Sequence, residues 1–277
     1  MSKVIEQDPK QLMGAKYERV SLGLKPSGPI HLGTALTFMN GMIALESNKS
    51  TTLDVMIMDL DHDFQRGKAY HSFFTLPDSK GCHRLMKQHT AQETRETIEE
   101  MASYFGVDSS RINIANFSDT VSHPQFQAYM RYLFLSTEGR TILKSTVMDD
   151  RKGPTGKLIA PNCEECGYSA TKPPKISMED GTATTNCLND RCDVDQYSVS
   201  IFKPGAVNLF YLVDPIRDLV PNNQGKTVDL HVFGGDYGLP WGKPVPETGR
   251  EPSKAERVLA LMAHLSTETP DIYVGPI

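Results

Sequence analysis

The stretch from Val20 to Thr34, V-S-L-G-L-K-P-S-G-P-I-H-L-G-T, does most to limit what this chain can fold into. It opens with an apolar run, Val20 to Leu24, that reads as a strand. Pro26-Ser27-Gly28-Pro29 then stops any regular element, because proline removes a backbone donor and glycine costs chain entropy when ordered. Beyond this cluster Leu36, Met39, Ile43 and Leu45 recur at roughly helical spacing. A strand, a tight glycine loop and a helix start form a phosphate-binding shape. Free backbone N–H groups and the positive end of the helix dipole both face the loop. His31 stands at the mouth, with Gly33 just beyond. Without a ligand, the same stretch is a βα turn in which His31 caps the helix.

The rest of the chain repeats this alternation. Leu53 to Asp59 is mostly apolar, as parallel strands buried on both faces are. It runs into Asp59-Leu60-Asp61-His62-Asp63, where ligand groups collect at strand carboxyl ends. The cluster is either a solvated acidic turn or a place for an ammonium group or Mg²⁺. His83 to about Phe105 reads as a helix with Thr94, Ile98, Met101, Ala102 and Phe105 on one side, and Gly106 is placed to end it. Arg111 to Phe117 alternates as a strand. Ser122 to Gln125 has capping-box spacing and a proline in the first turn. Phe126, Tyr129, Met130, Leu133 and Phe134 follow at helical spacing, which buries rings in a core rather than offering them to bases. Val207 to Val213 and Val228 to Phe233 read as further strands. The first runs into Asp214-Pro215-Ile216-Arg217, the second into Gly234-Gly235-Asp236-Tyr237-Gly238. Glycines there admit a close approach and a carboxylate accepts from ribose hydroxyls, although the stretch also suits a plain turn. Ser253 to Glu256 is a capping box ahead of Val258, Leu261, Met262 and Leu265. Pro270 to Ile277 closes with a short strand, and the residues before about Tyr17 read as a lead-in. Alternating strands and helices predict an α/β fold with a mostly parallel sheet.

Cysteine placement interrupts that pattern. Cys82 stands alone and reads as a structural thiol, whereas Cys163, Cys166, Cys187 and Cys192 form two close pairs. Two such pairs can wrap one tetrahedral Zn²⁺ with four thiolates, leaving no position for water, so the expected zinc is structural. The alternative is four reduced cysteines in a small β-rich module. The charged, breaker-rich run Asp149-Asp150-Arg151-Lys152-Gly153-Pro154 reads as an insertion boundary or a mobile loop. The expected organisation is 1–147, an inserted zinc-binding module at 148–204, and 205–277. No apolar run reaches membrane-spanning length, and Met1 to Asp8 lacks the apolar core of a signal peptide, so a cytoplasmic protein without membrane contact is expected. A net charge of −5 gives no general attraction for nucleic acid, so any RNA contact needs a local basic patch.

Pro26-Ser27-Gly28-x-x-His31-Leu32-Gly33-Thr34 resembles the Pro-Ser/Thr-Gly-x-x-His-Ile-Gly-His/Asn signature of class I aminoacyl-tRNA synthetases, with Leu32 for Ile and Thr34 for His or Asn. The order of parts is similar to the class I lysyl-tRNA synthetases: this signature, the acidic strand end at Asp59 to Asp63, the cysteine segment from Cys163 to Cys192, the Asp-x-Pro-like stretch Asp214 to Arg217, and Phe233-Gly234-Gly235-Asp236. The resemblance covers most of the chain and is loose between motifs.

It implies a Rossmann-type nucleotide-binding fold with a parallel sheet, interrupted by an inserted helical and zinc-binding connective segment. It implies ATP with Mg²⁺, a structural Zn²⁺, an amino-acid substrate (lysine suspected) and a tRNA acceptor end. By this resemblance His31 and Thr34 are catalytic. Ser27, Gly28, Gly33, Gly234, Gly235 and Asp236 contact ATP, while Gly23, Lys25 and Asp61 lie near the amino acid. The family's second signature, Lys-Met-Ser-Lys-Ser, does not occur among these 277 residues, and no anticodon-binding domain is recognisable. The expectation is either part of a longer enzyme or a stand-alone paralogue with reduced activity. The alternatives are a non-catalytic, synthetase-like protein that binds ATP and an amino acid, and a related nucleotidylyltransferase.

Overall fold

The apolar runs line up as parallel strands in the computed structural model. It describes residues 2–6, 8–13, 16–24, 32–58, 75–77, 83–85, 87–146, 158–166, 170, 173–190, 192–203, 206–209, 214–222, 225–240 and 250–275. In chain order the first half contains β1 (Val4–Glu6), β2 (Arg19–Leu24), α1 (Leu32–Glu46), β3 (Thr52–Ile57), β4 (Thr75–Pro77), β5 (His83–Leu85), α2 (Lys87–Tyr104) and β6 (Ile112–Asn116). Three helices follow, α3 (Phe117–Val121), α4 (Pro124–Leu135) and α5 (Thr137–Thr146). Next come β7 (Ile159–Pro161), β8 (Lys175–Ile176), β9 (Thr182–Asn186), β10 (Gln196–Ser200) and β11 (Val207–Leu209). The last elements are β12 (Leu230–Phe233), α6 (Lys254–Leu265) and β13 (Asp271–Val274).

The main sheet has the order β1-β13-β12-β2-β3-β6, and each neighbouring pair is parallel. From β2 the chain moves outward through β3 to β6. It then returns to the other side of β2 with β12 and β13, as in a Rossmann-like sheet. Both faces are covered. One packs Val20, Leu22, Leu53, Val55, Leu230, Val232 and Tyr273 against Phe38, Met42 and Leu45 of α1 and Ile98 and Ala102 of α2. The other packs Phe233, Ile272 and Val274 against α6, in a core that continues through α3, α4 and α5. A smaller antiparallel sheet, β10-β9-β8, and the pair β11-β7 join that second core through Ala183, Val199, Ile201, Phe202, Leu158 and Leu209. No helix among the described residues is long and apolar enough to cross a membrane.

Several local expectations need correction. The lead-in supplies β1, whose Val4 pairs with Ile272, a contact that three residues cannot announce by periodicity. The buried side of α1 is Phe38, Gly41, Met42 and Leu45, while Met39 is exposed. Gly41 explains the rotation: a Cβ there would lie 2.7 Å from Leu22 Cδ2, so the helix meets the sheet through its smallest residue. His83 to Leu85 is a strand paired with β4, and α2 begins at Lys87. Phe105 is exposed rather than part of the apolar side. Gly106 ends α2 with φ of 69°, and Val107 N–H donates to Ala102 O at 2.9 Å, closing the left-handed cap. His123, not Ser122, caps α4, accepting from Gln125 N–H ahead of Pro124. Val207 opens a strand that pairs antiparallel with β7, outside the main sheet.

A buried polar cluster lies under β2 and β12 on the α6 side. Ser21 Oγ donates to Asp218 Oδ1 at 2.8 Å, His231 Nδ1 touches Asp218 Oδ2, and Arg217 Nε lies 3.9 Å from Asp218 Oδ1. All four residues are nearly sealed from solvent. Burial alone would raise the Asp218 carboxyl, but His231, Arg217 and Ser21 outweigh it and hold it below the usual carboxylate range. Burial holds His231 below its ordinary value against the pull of Asp218. The imidazole is therefore neutral and donates from Nδ1 to a carboxylate that only accepts, and Arg217 supplies the balancing charge.

Removing one partner strands a buried charge. Asp218→Asn should cost about 3 kcal/mol in urea unfolding. Both His231 and Asp218 bind fewer protons folded than unfolded, so acid favours the unfolded chain. Stability should fall as pH drops below His231's ordinary value of 6.5, and again below Asp218's ordinary value of 3.8. His231→Gln should flatten the upper step only; wild-type stability that stays level from neutral pH down to the carboxylate range would contradict this assignment.

Candidate functional site

β2 and β12 lie side by side, yet their chains leave in opposite directions. β2 leads to α1 on one face, and β12 leads to α6 on the other. In open parallel sheets a divergence of this kind is where ligands bind, in the crevice beyond the carboxyl ends of the strands. Gly33 and Thr34 lie in the first turn of α1, with Gly33 exposed and Thr34 half-buried. Thr37 Oγ1 donates to Gly33 O at 2.9 Å and lies 3.6 Å from the point where a Cβ on Gly234 would fall. Asp236 Oδ1 is 3.3 Å from that same point. Gly33, Gly234 and Asp236 are thus brought together around Thr37, with Thr34 beside Gly33 and the buried Gly235 beside Asp236. Gly23, at the end of β2, turns toward the other face, where an added Cβ would meet Arg217 Nη2 at 2.9 Å. Lys25, Ser27, Gly28, His31 and Asp61 lie outside the described residues, as do Cys82, the rest of the acidic cluster Asp59 to Asp63, and the run from Asp149 to Pro154.

The structure adds residues to this crevice that sequence patterns did not single out. Lys254, the first residue of α6, has a side chain only 11% exposed, and its Nζ donates to Asp236 Oδ2 at 3.1 Å. It sits in the capping box of α6, where Ser253 and Glu256 bond reciprocally, so the helix start holds it in place. Tyr237 stacks on Phe233 at 3.8 Å, and Lys254 Nζ lies 5.9 Å above the Tyr237 ring. The Asp236 carboxylate, itself 60% exposed, is therefore anchored from behind and open in front. Asn40, on α1, is 5% exposed, and among the described residues its Nδ2 has no hydrogen-bond partner. That nitrogen lies 3.0 Å from where a Cβ on Gly275 would sit, beyond the end of β13. Thr37 carries a faint sequence signal, one helical turn after Gly33; Lys254 and Asn40 carry none, because their roles depend on partners far away in the chain.

The cysteines form the second feature. Cys163 and Cys166 occupy the turn after β7, and Cys187 and Cys192 the loop between β9 and β10. All four sulfurs lie within 4.8 Å of one another, with Cys163–Cys192 at 3.8 Å and Cys166–Cys187 at 3.5 Å. A tetrahedral zinc with bonds of about 2.3 Å separates its sulfurs by about 3.8 Å, so the group fits. Backbone N–H groups of Glu165 and Cys166 point to Cys163 sulfur, that of Asn189 to Cys187 and that of Val194 to Cys192. Such donors favour sulfur in its charged form. Burial pushes the Cys163 and Cys187 thiols up. At Cys192 it acts the same way, but the Val194 N–H and the neighbouring thiols prevail and lower it. The four cysteines can therefore hold a metal ion such as zinc, whose charge would hold the thiolates deprotonated.

Metal analysis of the purified chain should find about one zinc per molecule, and Cys166→Ser should bring it close to zero. The variant and the chelated wild type should lose protection from hydrogen exchange in β9 and β10 before the parallel sheet does. A metal-free sample with β9 and β10 fully protected would refute the assignment. Comparison with protein-family models gives no match, and none of the curated proteins matches significantly.

Proposed function

We propose that this chain is a class I aminoacyl-tRNA synthetase-like protein that activates an amino acid, lysine being the first candidate, at the crevice between β2 and β12. The carboxylate of the amino acid would attack the α-phosphate of Mg·ATP, releasing pyrophosphate and leaving an aminoacyl-adenylate for transfer to the 3′ end of a tRNA. One observation carries this reading: the first turn of α1 and the Gly234-Gly235-Asp236 turn, far apart in the chain, meet around Thr37 at the strand switch point. The four-cysteine cluster would bind a structural zinc.

The residues in the crevice fit a nucleotide. Gly234 and Gly275 carry no Cβ to crowd the polar atoms of Asp236, Thr37 and Asn40, and Asn40 Nδ2 is a buried donor in need of an acceptor. Asp236, steadied by Lys254, would accept from ribose hydroxyls. Gly33 would let the triphosphate approach the backbone, and His31 and Thr34 would stabilise charge on the reacting phosphate. Ser27 and Gly28 would line the same loop. Gly23, Lys25 and Asp61 would lie on the amino-acid side. Mg²⁺, when bound, would neutralise the triphosphate. Catalysis by this set would be positioning and electrostatics, with no protein nucleophile.

Pyrophosphate exchange, run with each amino acid in turn, tests the proposal. Exchange with one amino acid supports it; ATP binding without exchange would instead assign a regulatory, synthetase-like role. No nucleotide affinity by calorimetry would remove both. His31→Ala should slow exchange roughly 100-fold. Asp236→Asn should raise KM for ATP by roughly tenfold. Asn40→Leu should weaken ATP binding without lowering the melting temperature, since it removes a donor that is unmatched within the described residues.

A further inference from the structure

α5 places Thr137, Arg140, Thr141 and Lys144 three or four residues apart, so they form one stripe along the helix. This stripe lines one side of a cavity of about 300 Å³. The other side comes from Leu158, Ile176 and Met178, and the buried Phe134 and Leu143 contribute apolar surface. The volume lies at the lower end of what small-molecule sites occupy. The charge pattern is one-sided. Arg140 and Lys144 are like charges one turn apart, an arrangement that destabilises a helix, and among the described residues none that lines the cavity is acidic. Arg140 Nη1 reaches across to Met178 Sδ, which places the half-buried guanidinium at the rim of the cavity, beside its apolar side and still open to water. A guanidinium at such a rim can meet an anion with its planar fork while the rest of the ligand lies on apolar surface.

We propose that this cavity binds a small molecule with a flat apolar body and a single anionic group, such as an aromatic carboxylate. The apolar body enters between α5 and β8, and the anion pairs with Arg140, with Lys144 adding attraction and the hydroxyls of Thr137 and Thr141 lining the polar side. The site is separate from the crevice at β2 and β12, and it stands whether or not adenylate forms there.

Calorimetric titration of the full chain with 2-naphthoate and with its neutral amide, 2-naphthamide, tests this. Naphthoate should bind saturably at one site, at least tenfold tighter than the amide, a difference of about 1.4 kcal/mol. Arg140→Gln should bring the acid down to the level of the amide, and Lys144→Gln should weaken it less. Thr141 is exposed on α5, so Thr141→Trp should fill the cavity without disturbing the core and block both ligands. Circular dichroism establishes that each variant is folded, and Thr141→Trp and Lys144→Gln decide the matter if Arg140→Gln is not. Equal affinity for acid and amide would overturn the proposal. So would acid binding unchanged by the folded variants, or no binding of naphthoate at millimolar concentration.

Discussion

A parallel sheet exposes apolar side chains on both faces and cannot remain open to water on either. The main sheet of this chain obeys that constraint, with α1 and α2 on one side and α6 and the helices from α3 to α5 on the other. The crevice follows from the same requirement. Because β2 must send its chain to one face and β12 to the other, their carboxyl ends separate, and residues from both halves of the chain converge there. The site is a by-product of covering the sheet, not a separate construction.

Covering both faces also places polar groups where water cannot reach them. Ser21 and His231 project from neighbouring strands into the second core, and Asp218 and Arg217 arrive from the turn Asp214–Leu219 to satisfy them. The cluster lies directly beneath the crevice, since Arg217 packs against Gly23. Above it His231, Phe233 and Tyr237 form a continuous line of rings leading to Lys254 and Asp236. The floor of the crevice is thus formed by packed rings and an internally neutralised charge.

The four-cysteine cluster solves a different problem. The sheet β10-β9-β8 has strands of two to five residues and a modest apolar contribution to the second core. A short antiparallel sheet of this kind has little burial with which to offset chain entropy. Four sulfurs gathered beside Tyr197, whose hydroxyl donates to Pro161 O at 2.8 Å, give it a second centre of organisation.

Much of this architecture is legible in the residues alone. The strands at Val20 and Leu53 announce themselves by apolar runs, that at Ile112 by alternation, those at Leu230 and Ile272 by short strand-like stretches, α6 by its capping box, the end of α2 by Gly106, and the cysteine grouping by spacing. Those signals are local: a propensity, a cap, a left-handed turn or a pair of ligands a few residues apart. Other features depended on assembly. That β1 joins the edge beside β13, that α1 turns Gly41 inward and leaves Met39 outside, and that Asp218 meets His231 all depend on which surfaces come into contact. Lys254 becomes the anchor of Asp236, and Asn40 the neighbour of Gly275, only once the sheet has ordered its strands. The sequence by itself determined the elements and their alternation, because backbone preferences act over a few residues; only tertiary structure decided which side chains share a site, because burial and pairing act between segments that the chain keeps far apart.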